Sequence, residues 1–133
     1  MFLQIGDIII VRGTVFKENG LYDPRIYGHP ALVLDATDEM FYYLIISSKK
    51  NNIGDSRQYY YFKNKISYSE TKHNGFINCK NIYKRATAFH TVRDNFSDEL
   101  LNNVLNRFIY YQEYVFQDEF YNQIKENVKR YRS

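Results

Sequence analysis

Every glycine and proline of this 133-residue chain lies at or before Gly75, and everything after it contains neither. Those two residues are the strongest breakers of regular structure, so the chain divides into a turn-punctuated part and an uninterrupted tail. The tail has helical periodicity. Leu101, Val104, Leu105 and Phe108, then Val115, Phe116, Phe120, Ile124 and Val128, recur at spacings that make one apolar stripe. Ser97 reads as the N-cap, with Asp98 and Glu99 favoured in the first turn by the helix dipole. Phe96 before the cap and Leu101 after it have the spacing of a hydrophobic staple. One continuous helix over this tail would be roughly 50 Å long, more than a small barrel spans. The sequence therefore predicts either a break between Tyr110 and Glu113 or packing on a second subunit. The aromatic stripe itself reads as core or dimer interface, not as a cofactor site.

The first part reads as short strands. Residues 5–12 form a β-branched run that needs cover on both faces or a place in a small barrel; Gly6 and Asp7 bend the chain inward, which makes Asp7 structural. Residues 13–30 hold both prolines and three of the six glycines, the composition of a long loop. That loop ends in a stiff turn, Tyr27 to Leu34. Gly28 takes angles closed to other residues, and Pro30 pushes His29 into an extended conformation at the mouth of the strand Ala31–Leu34. A polar turn over 36–39 leads to the strand Phe41–Ile46, which ends in Ser47 and Ser48. Lys49 to Arg57 read as a basic loop, Tyr59–Phe62 as a strand and Ile66–Ser69 as another. His73-Asn74-Gly75 reads as a tight turn before the strand Phe76–Tyr83, and Lys84–Arg93 as one more strand or a helical turn. The expectation is one domain over 1–133, with a β part over 1–93 and a helical extension over 96–131. Its class is mainly β with a C-terminal helix (α+β): a small β-barrel or strongly bent sheet capped by one long or two shorter helices.

Charge is uneven. Between Lys49 and Arg93 ten basic residues face two acids, a balance of +8 within a chain of net charge +3, whereas the stretch from Ser97 onward carries −1. Fourteen tyrosines accompany this charge, and tyrosine suits both half-buried strands and wet contact surfaces. A basic middle interleaved with tyrosines suits a polyanion or an acidic protein; a solvated basic surface is the plainer alternative. The single cysteine, Cys79, excludes an intramolecular disulfide, fits a reducing compartment and reads as a small buried hydrophobe. No apolar run reaches membrane-spanning length and no signal peptide is evident, so a cytoplasmic protein with no membrane contact is expected.

Few residues offer chemistry. His29, His73 and His90 stand far apart, Cys79 has no partner at zinc spacing, and no Walker A loop, dinucleotide fingerprint or nucleophile elbow occurs; no metal and no cofactor are expected. Arg25, His29 and Ser47 or Ser48 remain, at the ends of the first three strands. Histidine moves protons near neutral pH, arginine holds a phosphate bidentately, and serine donates a hydrogen bond to it. Those are the needs of RNA cleavage by its own 2′-hydroxyl. A histidine held in a turn by a backbone carbonyl is the alternative role for His29.

The order Gly6-Asp7-Ile-Ile-Ile-Val, a long loop, Gly28-His29-Pro30-Ala31-Leu32-Val33-Leu34, and a strand ending Ile46-Ser47-Ser48 resembles the MazF/PemK/Kid family, the toxins of bacterial type II toxin–antitoxin modules. Phe76 to Tyr83 is similar to that family's late strand, and Phe96 to Phe108 to its closing helix. The resemblance covers residues 5–110, with 49–75 poorly matched. It implies an SH3-like barrel with a C-terminal helix, usually a homodimer. It also implies metal-independent endoribonuclease activity on single-stranded RNA and an acidic antitoxin partner that covers the RNA groove. The family's catalytic arginine directly precedes the proline; here His29 stands there, with Arg25 four residues earlier. Ser47 takes the place of its threonine, and Asn78 and Lys80 take those of a late-strand arginine and aspartate. The implied catalytic set is His29, Arg25 and Ser47. The implied RNA path is lined by Lys17, Ser48, Lys49, Lys50, Arg57 and Lys80, with Tyr59 or Tyr61 stacking bases. The extension after Gln112 has no counterpart in the family pattern. Two other readings stand beside this one: an inactive member of the same fold that binds RNA or protein, and a module whose helical tail docks or dimerises.

Overall fold

A computed structural model describes residues 3–11, 15–17, 22–23, 29–47, 55–62, 75–86, 92–117 and 119–132. Within them the turn-punctuated part forms nine short strands: β1 (Asp7–Val11), β2 (Val15–Lys17), β3 (Tyr22–Asp23), β4 (His29–Ala36), β5 (Met40–Ser47), β6 (Tyr59–Phe62), β7 (Gly75–Asn78), β8 (Tyr83–Ala86) and β9 (Val92–Asn95). The tail forms α1 (Asp98–Tyr110) and α2 (Asn122–Arg132). The class is α+β, as expected.

All pairings are antiparallel. The order is β3-β2-β8-β5-β4-β1-β9, with the β6–β7 hairpin branching from β5. Among the described residues no pairing joins β3 to β9, so the sheet is antiparallel and not closed into a barrel. Its regular pairing is interrupted in two ways. Bulges interrupt the register between Val33 and Asp35 and between Ile8 and Ile9, and bulges bend and twist the strand that carries them. The strand β5 also changes neighbours along its length: Met40 to Tyr43 pair with β8, and Ile46 and Ser47 pair with β7.

The strand expected over Phe76–Tyr83 is in fact two, β7 and β8, separated by a bend at Cys79–Ile82. Polar groups from elsewhere take over the backbone there. Cys79 N donates to Gln58 O at 2.7 Å, Lys80 N donates to Asn78 Oδ1 at 3.0 Å, and the Gln112 amide donates to the carbonyls of Cys79 and Lys80 at 2.7 and 3.0 Å. A backbone satisfied by side chains has no need of a ladder partner. Of residues 84–93, Lys84 to Ala86 complete β8, and Val92 and Arg93 open β9, which carries the β part to Asn95. The strand expected over Ile66–Ser69 lies outside the described residues.

Alternation along β5 gives the sheet two buried faces. Leu44 and Ile46 join Ile8, Leu32, Ile77 and the helix residues Leu101, Val104, Leu105, Phe108, Ile124 and Val128 in the larger core. Ile45, Tyr43 and Phe41 face the other way, with Leu3, Ile9, Val11, Ala31, Val33 and Tyr83. The first face is covered by helices; the described residues of the second core come from strands and the N-terminal segment.

The N-terminus of α1 is built as the sequence predicts. Ser97 Oγ accepts from Leu100 N at 3.3 Å, and Phe96 and Leu101 both enter the helix-covered core. Gly6 lies beneath Leu101 with φ of +94°, where a Cβ would come 2.8 Å from Leu101 Cδ2, so the position demands glycine on both counts. Asp7 is structural: its carboxylate accepts from Gln4 N at 2.8 Å.

The tail breaks. After Tyr110 it widens into a π-helical segment, Tyr111–Phe116, and stops at Gln117 in the left-handed region (φ 53°). The extra residue turns both Tyr111 and Gln112 inward, and Gln112 reaches the Cys79 bend. This correction shifts the stripe read from sequence: Ile124 and Val128 are buried, but Phe116 and Phe120 are exposed. The second helix then folds back on β4, where Asn127 Nδ2 donates to Asp35 Oδ2 at 2.8 Å.

Candidate nucleic-acid interface

Register gathers a set of side-chain positions across four strands. Val11 pairs with His29, and Ala31 with Ile45. His29 is the first residue of β4 and Ser47 the last of β5, each two residues beyond that pair. Ser47 in turn pairs with Phe76, and Phe76 with Tyr61. Ser47, Phe76 and Tyr61 therefore form one transverse row over β5, β7 and β6, with His29 at the start of β4. Directly opposed residues of antiparallel strands have Cα atoms roughly 4.5–5.5 Å apart. A tight turn over Thr37–Glu39 folds β4 onto β5 and so brings two candidates separated by 18 positions to the same end of the strand pair. Thr37 Oγ1 holds that turn, accepting from Met40 N at 3.0 Å.

The far end of the row is aromatic. Tyr61 is 44% exposed, and its ring lies 4.9 Å from that of Phe76, tilted by 41°. Tyr59 meets Phe76 edge-on at 6.5 Å but is itself buried, so of the two tyrosines read as base-stacking residues Tyr61 is the one presented and Tyr59 backs the platform. The guanidinium of Arg107 anchors this hairpin to α1 by donating to Tyr59 O at 2.9 Å.

Beyond the hairpin lie two cations. Arg57 sits in a 3₁₀ turn, Ser56–Gln58, capped by Asp55, whose carboxylate accepts from Arg57 N at 2.9 Å and from Arg57 Nε at 3.0 Å. This pairing holds the Asp55 carboxyl down at about 2. The Asp55 carboxylate and the Tyr110 hydroxyl in turn strengthen the protonation of Arg57. Arg57 is exposed, but half of its charge pattern is already met by Asp55. Lys80 stands in the bend after β7 with its ammonium 5.0 Å above the Phe116 ring.

The remaining candidates scatter. Lys17 pairs with Tyr83, which pairs with Tyr43. That places its backbone two strands from β5, in line with a residue about 13 Å from Ser47 along the strand, and outside the row. Arg25, Ser48, Lys49 and Lys50 lie outside the described residues. Cys79 is fully buried, and burial pushes its thiol up to about 12, which suits a core residue and not a nucleophile. Among the described residues no three His, Cys, Asp or Glu side chains converge as metal ligands. None of the described helices is long and apolar enough to cross a membrane.

Sequence reading missed Phe76, Gln58 and Gln112. The first was legible only as a strand residue, since its place beside Ser47 is set by long-range pairing. The two glutamines carry a faint signal: each is a polar residue beside aromatic neighbours, and each is buried to cap backbone groups. No family model, curated protein or solved structure matches the chain.

Proposed function

We propose that this chain is a metal-independent endoribonuclease that binds single-stranded RNA across the row from His29 to Tyr61. The observation that carries the reading is the register that sets Ser47 opposite Phe76 and Phe76 opposite exposed Tyr61, at the end of β5 near which β4 begins with His29. Bases stack on Tyr61 and Phe76, since every base offers a π-face to an aromatic ring. His29 removes the proton of the 2′-hydroxyl, the 2′ oxygen forms a bond to phosphorus, and the bond from phosphorus to the 5′ oxygen breaks. A proton is delivered to that leaving oxygen, which leaves a 2′,3′-cyclic phosphate and a 5′-hydroxyl. Ser47 donates to a phosphoryl oxygen, and Arg25 holds the charge that builds there.

The reading agrees with the MazF/PemK/Kid resemblance, and so with a toxin role, an acidic antitoxin, a homodimer and a cytoplasmic setting. The finer fold reading, an SH3-like arrangement, draws support from β5, one strand shared between two neighbouring sheets in the manner of small barrels. Incubating the protein with RNA in EDTA tests the function. Cyclic-phosphate ends are expected from the wild type, with a rate loss of about 100-fold or more in His29→Ala. Intact RNA, or equal cutting by the variant, overturns the mechanism. RNA that is retained, weakly so at high salt, but never cut identifies a binding protein instead.

A further inference from the structure

We infer that the joint between the π-helical segment and α2 is a strained hinge through which two copies of this chain exchange their α2 helices. Among the described residues two non-glycine positions carry positive φ, Gln117 at 53° and Tyr121 at 59°, and both lie at this joint. The left-handed region crowds Cβ against the backbone, a penalty of roughly tenfold in population per residue. Helices that end this way favour glycine or asparagine at the turning residue. The chain places a glycine where the approach to β1 needs positive φ, at Gly6, but none here. Residues 117–121, Gln-Asp-Glu-Phe-Tyr, contain no breaker of helical structure. The fold-back is therefore imposed by packing, against the preference of the joint itself.

Returning both residues to the right-handed region joins the tail into one rod. Alone, α2 has 11 residues, too few for a helix to persist without packing, whereas an extension of α1 needs no nucleus of its own. The rod also aligns Phe116, Phe120, Ile124 and Val128 in one row at i, i+4 spacing. In the folded-back form that row is split: Ile124 and Val128 are buried, but Phe116 is 36% and Phe120 60% exposed. An unbroken row of this kind is a ridge that packs on another helix.

The occupant is a second copy because the place that α2 leaves already fits α2. Ile124 and Val128 enter the larger core, Asn127 donates to Asp35 of β4 at 2.8 Å, and Arg132 donates to Asn106 of α1 at 2.9 Å. Lys129 pairs with Glu113, so the basic end of α2 meets an acidic neighbour. The α2 of a second copy repeats each of these contacts between chains. Exchange then differs from fold-back in three respects: the hinge strain is released, Phe116 and Phe120 join a continuous ridge, and the chains lose the freedom of separate molecules.

The test links chains across the exchanged contact and needs no RNA, so its outcome stands apart from the function proposed above. One chain carries Asp35→Cys and the other Asn127→Cys; they are unfolded together, refolded at high concentration and treated with a short bismaleimide. Cys79 is buried and stays unlabelled. A covalent dimer joined through positions 35 and 127, identified by mass spectrometry, is expected. Folded-back chains keep those positions apart on separate molecules. Absence of that link overturns the inference, whether the refolded protein sediments as a monomer or as a dimer of another kind. Gln117→Gly, which removes the strain at an exposed position, is expected to weaken the dimer about 100-fold on sedimentation, one hinge in each chain contributing about tenfold. Gln117→Ala keeps the strain and is expected to leave the dimer intact. Equal dimer strength in the two variants overturns the hinge.

Discussion

The two faces of β5 do different work. Among the described residues, its even-numbered residues face a core of eighteen buried residues closed by α1, the π-helical segment and α2, whereas its odd-numbered ones face nine. The larger face is tied down by polar bonds at its margins: Gln112 to the Cys79 bend, Arg107 to Tyr59, Asn127 to Asp35. The smaller face runs out at Ser47, where the strand passes from buried hydrophobes to a half-buried serine opposite Phe76. Stability is concentrated where the helices pack, and the polar row occupies the end of the less densely supported face. Low local support is a usual property of functional segments.

Matched truncations sharpen this contrast. Phe108 and Phe41 are both fully buried, one on each face. Phe108→Ala is expected to cost about 3–5 kcal/mol, since the ring is enclosed between helices and sheet and the void has little room to collapse. Phe41→Ala lies beside the exposed turn Thr37–Glu39 and should cost about 1 kcal/mol less than its counterpart, because neighbouring chain can settle into the space. Urea midpoints measured together decide the point; an equal or larger loss for Phe41→Ala breaks the comparison.

A second effect is read on the helix-covered face. Cys79 is at its margin, and its thiol, which ionises at 9.0 when unburied, is pushed up to about 12 by desolvation. Between those values the unfolded chain releases a proton that the folded chain keeps, so stability must fall as pH rises through that window. Cys79→Ala removes this contribution. The variant begins less stable because of its cavity, but its stability should decline less steeply with alkaline pH. Parallel slopes for the two proteins would show that the thiol is not shielded as packed. Labelling by a thiol reagent at neutral pH should likewise require denaturant.

The contrast between the faces was only half visible in the chain. Helix start, cap and staple follow from residues within one turn of each other, so Phe96, Ser97 and Leu101 could be read directly. Tyr59–Phe62 was legible for the same reason, being a local aromatic run. What was not legible depends on distant groups. The run 76–83 looks like one strand, and only Gln58 and Gln112 supply the bonds that break it at Cys79. Phe116 and Phe120 fit the apolar stripe of a regular helix, but the inserted π residue and the left-handed Gln117 rotate them outward. At the candidate site, bringing His29 and Ser47 to one end of β4 and β5 needed only the turn between those strands. The placement of Phe76 and Tyr61 beside them needed a hairpin more than ten residues further on.

The smallest expected effect is the most diagnostic for the strand-only face. The Tyr43 ring is fully buried, stacked on Tyr83 at 5.7 Å and 20°, yet its hydroxyl meets no hydrogen-bond partner among the described residues. Burial also raises the phenol above its ordinary ionisation range, so the group is neutral at any working pH. A buried hydroxyl without a partner carries its desolvation cost with nothing to offset it, on the order of 1–3 kcal/mol. Tyr43→Phe removes that cost and keeps the ring, so it should leave stability unchanged or raise it by up to about 1 kcal/mol, read as an upward shift of the urea midpoint at constant slope. The same change on the helix-covered face would behave oppositely: Gln112→Leu strips two carbonyls of their donors and must destabilise. A loss of 1 kcal/mol or more from Tyr43→Phe would mean that the hydroxyl is bonded in solution, and that polar matching on the second face is as complete as on the first.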